Sequence, residues 1–304
     1  MTMLHFTERA CPVCARSDRS KLFAEARFDP ARLDGMSFSS RKVPEGMHHR
    51  LLECGRCDVL YASPVPVTDD LTGAYEEAEY DSAREAQHAA TTYARVLSGI
   101  APNLPSRRRA VDIGAGDGAF MERLIEAGFT DVIGFEPSAA PIAFAPAGVR
   151  ERIRPRVFDG SELDAGSVSL ISCLQTIEHV PDPLGLCVNA ATLLEPGGAL
   201  LIVCHNRRAV SARLMRRSSP IYDIEHLQLF SPAGIRNLLE RSGFERVEVR
   251  TLVNRYPLGY WLRLAPAPSR MKTGVETVLD RTHLNDVLLS FPAGNQVAVG
   301  YARA

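Results

Sequence analysis

A chain of 304 residues, 45% apolar and 23% charged, has the composition of an ordinary folded protein, which excludes disorder as its default state. A formal net charge of −1 excludes the strong basic field that draws a protein to nucleic acid or acidic membranes. Residues 1–10 lack the apolar core of a signal peptide and the longest apolar runs are far too short to cross a bilayer, so no membrane span and a cytoplasmic location are expected.

In chain order, the first signal is cysteine. Seven cysteines in such a chain argue against a disulfide framework. Four of them form two pairs, Cys11-Pro12-Val13-Cys14 and Cys54-Gly55-Arg56-Cys57, about 40 residues apart. Each pair offers two thiolates to one tetrahedral ion, and together they close a structural zinc site. The gap exceeds the usual zinc-ribbon spacing, so the residues between are expected to form strands or a loop of their own. Residues 1–64 therefore read as a small zinc-binding module. Cys173, Cys187 and Cys204 lie in apolar runs and read as buried packing residues.

Residues 65–105 read as a helical connector or cap, introduced by Ser63-Pro64-Val65-Pro66 and closed by Pro102 and Pro105. From 106 to 304 short β-rich runs alternate with amphipathic ones, the pattern of a parallel sheet covered by helices. Strands are predicted over 110–113, 132–136, a short stretch ending near Phe158, 168–174, 199–204, 244–252 and 296–302. The unbroken apolar run 168–174 suits a strand buried on both faces. Pro196-Gly197-Gly198 reads as a turn before the fifth strand. A helix over 119–127 is expected to turn Phe120, Leu124 and Ile125 inward and to stop at Gly128. Another, over 184–194, stops before Glu195-Pro196. A third starts with Ser231 as N-cap and Pro232 at its first position, buries Ile235, Leu238 and Leu239, and ends at Gly243. An insertion at about 254–291 carries Tyr256, Tyr260 and Trp261, then a Pro-rich loop at 265–269. It suits an acceptor-pocket wall, an oligomer contact or a helical lid on the sheet edge.

The central motif is Val111-Asp112-Ile113-Gly114-Ala115-Gly116-Asp117-Gly118-Ala119-Phe120. A buried strand enters a turn with glycine at every second position and leaves as a helix. Glycine lets a ligand approach the backbone closely, and helix N–H groups then face that ligand. The second strand ends in Glu136, about 20 residues on, where a carboxylate can accept both hydroxyls of a ribose.

These residues resemble the class I S-adenosylmethionine-dependent methyltransferases. Further matches follow in order: Glu136-Pro137-Ser138, Val157-Phe158-Asp159-Gly160, Leu174-Gln175-Thr176-Ile177-Glu178-His179-Val180-Pro181-Asp182-Pro183 and Leu193-Leu194-Glu195-Pro196-Gly197-Gly198. The resemblance implies a Rossmann-like α/β fold with a seven-stranded sheet of order 3-2-1-4-5-7-6, the last strand antiparallel. It implies S-adenosylmethionine as cofactor, with Gly114, Ala115 and Gly116 along the methionine part and Asp112 organising the loop. It implies Glu136, followed by Pro137, at the ribose, Asp159, followed by Gly160, at adenine, and the backbone of Leu174 and Gln175 beside the sulfonium. Bacterial methyltransferases with a cysteine-rich head are similar in the phrase Asp223-Ile224-Glu225-His226-Leu227-Gln228-Leu229-Phe230-Ser231-Pro232 and in Tyr75 and Tyr80. In them the zinc is structural, and a tyrosine such as Tyr80 closes over the cofactor.

Methyl transfer to a hydroxyl or an acidic carbon needs a base. His179, just past the fourth strand, and His226, in the loop after the fifth, are the candidates at the sheet edge where such folds bind ligands. A second possibility combines Glu178, His179 and His226 around a divalent ion, as in methyltransferases with a Glu-x-x-Glu-His pattern, although Gln175 stands where those have the first acid. The expected partner is a small-molecule methyl acceptor, a sugar, a lipid-linked precursor or a natural product. An RNA acceptor is the alternative, against which the near-neutral charge and short basic runs speak. A non-catalytic scaffold binding zinc and nucleotide is the third reading.

Overall fold

The computed structural model describes residues 5–28, 46–67, 73, 83–264, 279, 281–282 and 284–303. The head contributes β1 (Phe6–Thr7), β2 (Ser20–Ala24), β3 (Leu51–Cys54), β4 (Val59–Ala62) and β5 (Val65–Pro66). A helix, α1 (Ala83–Ile100), leads to the main sheet. That sheet is built from β6 (Arg109–Ile113), β7 (Asp131–Phe135), β8 (Ile153–Arg154), β9 (Val168–Leu174), β10 (Leu194–His205), β12 (Arg246–Thr251) and β15 (Asn295–Tyr301). Across the sheet they lie in the order β12-β15-β10-β9-β6-β7-β8. Neighbours from β8 to β10 pair in parallel, whereas β15 runs antiparallel to both β10 and β12. The centre of β9 is buried on both faces, as its unbroken apolar run requires.

Three local details differ from expectation for identifiable reasons. The third strand ends at Arg154, well short of Phe158, because Pro155 has no N–H to continue the ladder. Ile125 is 37% exposed and Met121 is buried in its stead. Five residues after Phe120 on an α-helix is about 140° around the axis, off the buried face. Pro196-Gly197-Gly198 lies inside β10, as a register irregularity between Leu194 and Ala199. Gly197 takes up the bend with φ +77°. Helix α2 (Ala119–Glu126) does end in a Schellman-type turn, with Gly128 N–H donating to the Ile125 carbonyl and Phe129 N–H to that of Leu124.

A strand from the methyltransferase half joins the sheet of the head. Beyond β10, the short β11 (Gln228–Phe230) pairs antiparallel with β4, which completes a sheet of order β11-β4-β3-β2. The next helix, in chain order α7 (Pro232–Arg241) after α3 (Ala139–Phe144), α4 (Ala147–Arg150), α5 (Pro183–Leu193) and α6 (Val210–Met215), is capped by the Ser231 hydroxyl accepting from Gly234 N–H. Its Ile235, Leu238 and Leu239 are fully buried in one cluster with Cys11, Val13, Val59 and Tyr61 of the head. Two buried-edge ion pairs add to this seam: Arg207, 3% exposed, bridges Glu53 and Asp58.

The insertion is a hairpin, β13 (Asn254–Pro257) with β14 (Leu288–Phe291), followed on its first arm by α8 (Leu258–Leu264). The Pro-rich loop at 265–269 lies outside the described residues.

The seam leaves no room at Gly234. A Cβ there would sit 2.8 Å from Val59 Cγ2 and 3.0–3.1 Å from the carbonyls of Asp58 and Cys57. Gly234→Ala is expected to destabilise the protein by about 1–3 kcal/mol, read as a lower midpoint in urea. An unchanged midpoint would mean that the head does not press on α7.

Candidate active site

A cavity of about 700 Å³ opens at the carboxyl ends of β6, β7, β9 and β10, the edge at which parallel α/β sheets bind ligands. Its floor is the glycine turn after β6. Gly114, Gly116 and Gly118 have φ of +73°, +57° and +76°, a region that side chains rarely enter. A Cβ on Gly114 would collide with Thr176, while one on Gly116 would meet nothing within 4 Å and would project into open space. The loop is thus shaped as a cradle whose backbone is left bare. Ala115 also lines it.

Glu136 ends the second strand and turns back to this loop. Its Oε2 accepts from Gly116 N–H and its Oε1 from Ser138 N–H, both at 2.9 Å. Burial pushes this carboxyl above its ordinary range, and the two backbone donors pull it back. Beneath the loop, Asp112 is 2% exposed and accepts from the Ser172 hydroxyl at 2.6 Å. Burial pushes its carboxyl up to about 7 against the opposing Ser172 bond, with the nearby Glu136 adding to the rise. Pro137 lines the cavity beside Glu136. Farther out Phe158 meets Phe135 edge to face at 5.1 Å, and the exposed Asp159 accepts from Ser161 N–H and hydroxyl at 2.9 and 2.7 Å. Those bonds, the backbone one first, hold Asp159 below its usual range. Gly160 packs instead against Leu193, to which a Cβ would come within 3.2 Å. Leu174 and Gln175 form the opposite wall. Gln175 has φ +56°, and its buried Nε2 has no hydrogen-bond partner among the described residues. A strained residue with an unpaired buried amide marks a place shaped for something other than stability. Tyr75 and Tyr80 lie outside the described residues.

Across the cavity from the cradle the lining turns polar and aromatic. His179, His205, Asp223, Glu225 and His226 stand on one side and Tyr256, Tyr260 and Trp261 on the other. The rings of His179 and His226 lie 4.9 Å apart, and His226 meets His205 at 5.1 Å. His179 Nδ1 lies 3.0 Å from the Glu225 carbonyl and His226 Nδ1 2.9 Å from that of Ile221. A carbonyl oxygen accepts, so in the neutral rings these nitrogens carry the hydrogen and Nε2 carries the lone pair. The Glu225 carboxylate sits between the two rings, 3.9 Å from His179 Nδ1 and 3.8 Å from His226 Nε2. Sequence reasoning missed Glu225, though it directly precedes His226. It named Glu178, which is fully buried away from the pair and accepts from His205 N–H at 2.6 Å. The three groups that do gather are His179, Glu225 and His226, with ligand atoms within 4.8 Å of one another.

In the head, Cys11, Cys14, Cys54 and Cys57 bring their sulfurs within 4.8 Å of one another, Cys14 and Cys54 at 3.8 Å. Sulfurs of a tetrahedral zinc site, about 2.3 Å from the ion, stand about 3.8 Å apart. Burial pushes Cys11 up to about 12 and raises Cys57 as well.

Residues 84–249 match the family described as methyltransferase domain. This chain belongs to the class I S-adenosylmethionine-dependent methyltransferases. It is therefore an enzyme, and the scaffold reading falls. The chain is 25% identical over 170 residues to the ubiquinone biosynthesis O-methyltransferase of Vibrio parahaemolyticus, covering 50% of this chain and 72% of that one. It is 25% identical over 199 residues to the Escherichia coli protein of the same name, covering 64% and 73%. Among solved structures it is similar to a SAM-dependent methyltransferase from Archaeoglobus fulgidus, with a TM-score of 0.48 and 17% identity over 70% of this chain and 94% of that one. Among the described residues, no helix of the methyltransferase is long and apolar enough to cross a membrane.

The buried Asp112 gives the ligand-free methyltransferase a pH dependence of known sign. Its folded value near 7 stands above the ordinary 3.8, so its contribution to stability is full below 3.8 and is lost as pH rises through 7. The stability of Asp112→Asn relative to the parent is expected to improve between about pH 5 and pH 8, by about 2–3 kcal/mol. Thermal melts at several pH values measure this; a pH-independent difference would place the carboxyl outside the titrating range.

Proposed function

We propose that this methyltransferase methylates a hydroxyl of a small molecule, with the cofactor on the cradle side of the cavity and the acceptor against His179, Glu225 and His226. The observation that carries this reading is the meeting of cradle and histidine pair across one cavity. The O-methyltransferase names of the relatives support it.

The residues fit S-adenosylmethionine. Gly114, Ala115 and Gly116 would face its methionine part over Asp112. Glu136 spends two of its four lone-pair positions on Gly116 and Ser138 N–H groups, which leaves two for the ribose hydroxyls. Asp159, ahead of the turn at Gly160, would meet adenine, and Pro137 would flank the ribose. The Leu174–Gln175 backbone would border the sulfonium. When bound, S-adenosylmethionine supplies an electrophilic methyl group, and alignment provides much of the acceleration. The chain's own task is the proton. An imidazole Nε2 of the His179–His226 pair takes it from the acceptor hydroxyl, and the Glu225 carboxylate, within 4 Å of both rings, stabilises the imidazolium that results. Tyr256, Tyr260 and Trp261 offer flat apolar surface to the body of the acceptor.

For the head we propose a structural zinc on Cys11, Cys14, Cys54 and Cys57, and a division into a zinc module at 1–64, a connector at 65–105 and a methyltransferase domain from 106 with an insertion at about 254–291. A small acceptor is favoured over RNA because the basic run at 107–109 is engaged locally, Arg109 with Asp131 and Arg107 with the Ala127 carbonyl.

A second reading is favoured by one observation, the close donor set of His179, Glu225 and His226. Two imidazoles with Nδ1 held by carbonyls and one carboxylate suit a divalent ion that would bind the acceptor oxygen.

Native mass spectrometry should find one zinc and one added S-adenosylhomocysteine per chain. Glu136→Ala should keep the zinc and lose about 100-fold in S-adenosylhomocysteine affinity, about 3 kcal/mol; parental affinity would sink the cofactor assignment.

With a methyl-labelled donor and a panel of phenols, catechols and sugars, turnover by the parent should fall about 100-fold or more in His226→Asn. Full turnover in both that variant and His179→Asn would remove the base. Loss of turnover on adding EDTA, under conditions that retain the head's zinc, would favour the second reading.

A further inference from the structure

Arg9 belongs to the head, two residues before Cys11, yet its guanidinium reaches three separate stretches of chain. Nε donates to the Ala62 carbonyl at 2.9 Å, at the end of β4. Nη1 donates to the Pro181 carbonyl at 3.1 Å, in the loop that carries His179. Nη2 donates to the Leu227 carbonyl at 2.6 Å and to Gln228 Oε1 at 3.0 Å, directly after His226. The Arg9 main chain is fixed as well, its N–H donating to Ser63 Oγ at 3.0 Å.

Gln228 carries the connection inward. It is fully buried, and its Nε2 donates to the carbonyls of Ile177 and Val180 at 2.7 and 2.8 Å. Leu227 and Gln228 N–H groups both donate to the Glu178 carbonyl, at 2.9 and 3.3 Å. The loop 177–181 is thereby riveted to the start of β11, and Arg9 closes the rivet from the head side. His179 lies within the first of these segments and His226 borders the second. The planar fork of a guanidinium can satisfy carbonyls in several directions at fixed spacing, which a lysine ammonium on a flexible stem cannot.

We propose that Arg9 is a positioning residue: through this fork the head sets the spacing of the two loops that bring His179 and His226 to the acceptor. The inference rests on the reading of those histidines as the acceptor side of the site. It gives the head a part in catalysis without any contact between the head and the reacting atoms. A displacement of about 1 Å in such a pair is enough to cost about 100-fold in rate.

The test needs no known acceptor. The probe is S-adenosylhomocysteine, and the readout is the ¹⁵N spectrum of the histidine rings in the zinc-loaded full chain. In the parent, His179 and His226 should each show a fixed Nδ1–H tautomer, held by the carbonyls of Glu225 and Ile221. Arg9→Lys should lose the separate Nδ1 and Nε2 signals of both rings, which merge towards averaged values, while S-adenosylhomocysteine affinity stays within about threefold of the parent. Arg208→Ala serves as control. It removes the ion pairs of Arg208 with Glu53 and Asp58 of the head, and should leave both ring patterns intact. Gln228→Leu breaks the same rivet from the other side and should reproduce the ring changes, so the test stands even if Arg9→Lys does not fold. Parental ring patterns in Arg9→Lys or Gln228→Leu would overturn the proposal. So would ring changes of equal size in Arg208→Ala, which would make them a consequence of a loosened head. Full turnover by both His226→Asn and His179→Asn overturns the underlying reading of the histidines instead, and is read from activity rather than from ring signals.

Discussion

The arrangement depends on one backbone ladder, the antiparallel pairing of β4 with β11. Val59, Leu60 and Tyr61 face Phe230, Leu229 and Gln228, so a strand of the head and a strand of the catalytic half belong to one sheet. The ladder seats the Cys57 knuckle on α7 and brings Asp58 to Arg207. It also fixes where the chain stands just after His226. Side chains alone would leave these loops free to slide; paired main-chain groups hold the register, because a slip by one residue would turn the wrong faces inward. A cluster of four sulfurs is well suited to brace such a unit, since the head is too small to bury a large core by itself.

The cavity shows what this bracing makes possible. Asp112 and Glu136 are two acids held close together in a half-dry floor, and both are pushed towards the neutral form. Such a floor opposes stability and favours a ligand that brings donors or positive charge. Gln175, with its left-handed backbone and unpaired buried amide, adds to the same ledger. On the far wall, by contrast, each histidine has a backbone carbonyl against one nitrogen. One half of the cavity is strained and awaits a partner, while the other is oriented in advance.

That contrast explains how much was legible in the sequence. The mixed seven-stranded sheet and the glycine turn depend on local patterns: apolar runs for strands, glycines where a side chain would collide, an acid at a set distance beyond. Gly114 and Gly116 lie on one turn, and Glu136 meets them because β7 pairs with β6 as the next strand in the chain. Other features depend on distant chain. That β11 completes the sheet of the head is not legible, because three residues, Gln228-Leu229-Phe230, carry too little pattern to name their partner. Glu225 stands beside His226, but the motif in the sequence points to Glu178 instead. Burial separates the two acids: Glu178 turns under the loop to bond His205 N–H, and Glu225 turns out between the rings. Ile125 and the end of the third strand were misjudged for smaller reasons, a helix angle and the missing N–H of Pro155.

The same division bears on how such an enzyme can change. The cradle is one contiguous stretch whose geometry is set by glycines and strand ends, so it tolerates little and binds one kind of ligand. The wall proposed to hold the acceptor is assembled from the loop after β9, the segment before β11 and the hairpin β13–β14, three pieces with separate sequence constraints. Each can vary without disturbing the sheet, provided that the spacing between the pieces is enforced from outside. A head that shares a strand with one piece and hydrogen-bonds to another supplies that enforcement from a position remote from the chemistry. Separating the rigid cofactor floor from an externally braced acceptor wall is a physical route by which one sheet can serve many acceptors.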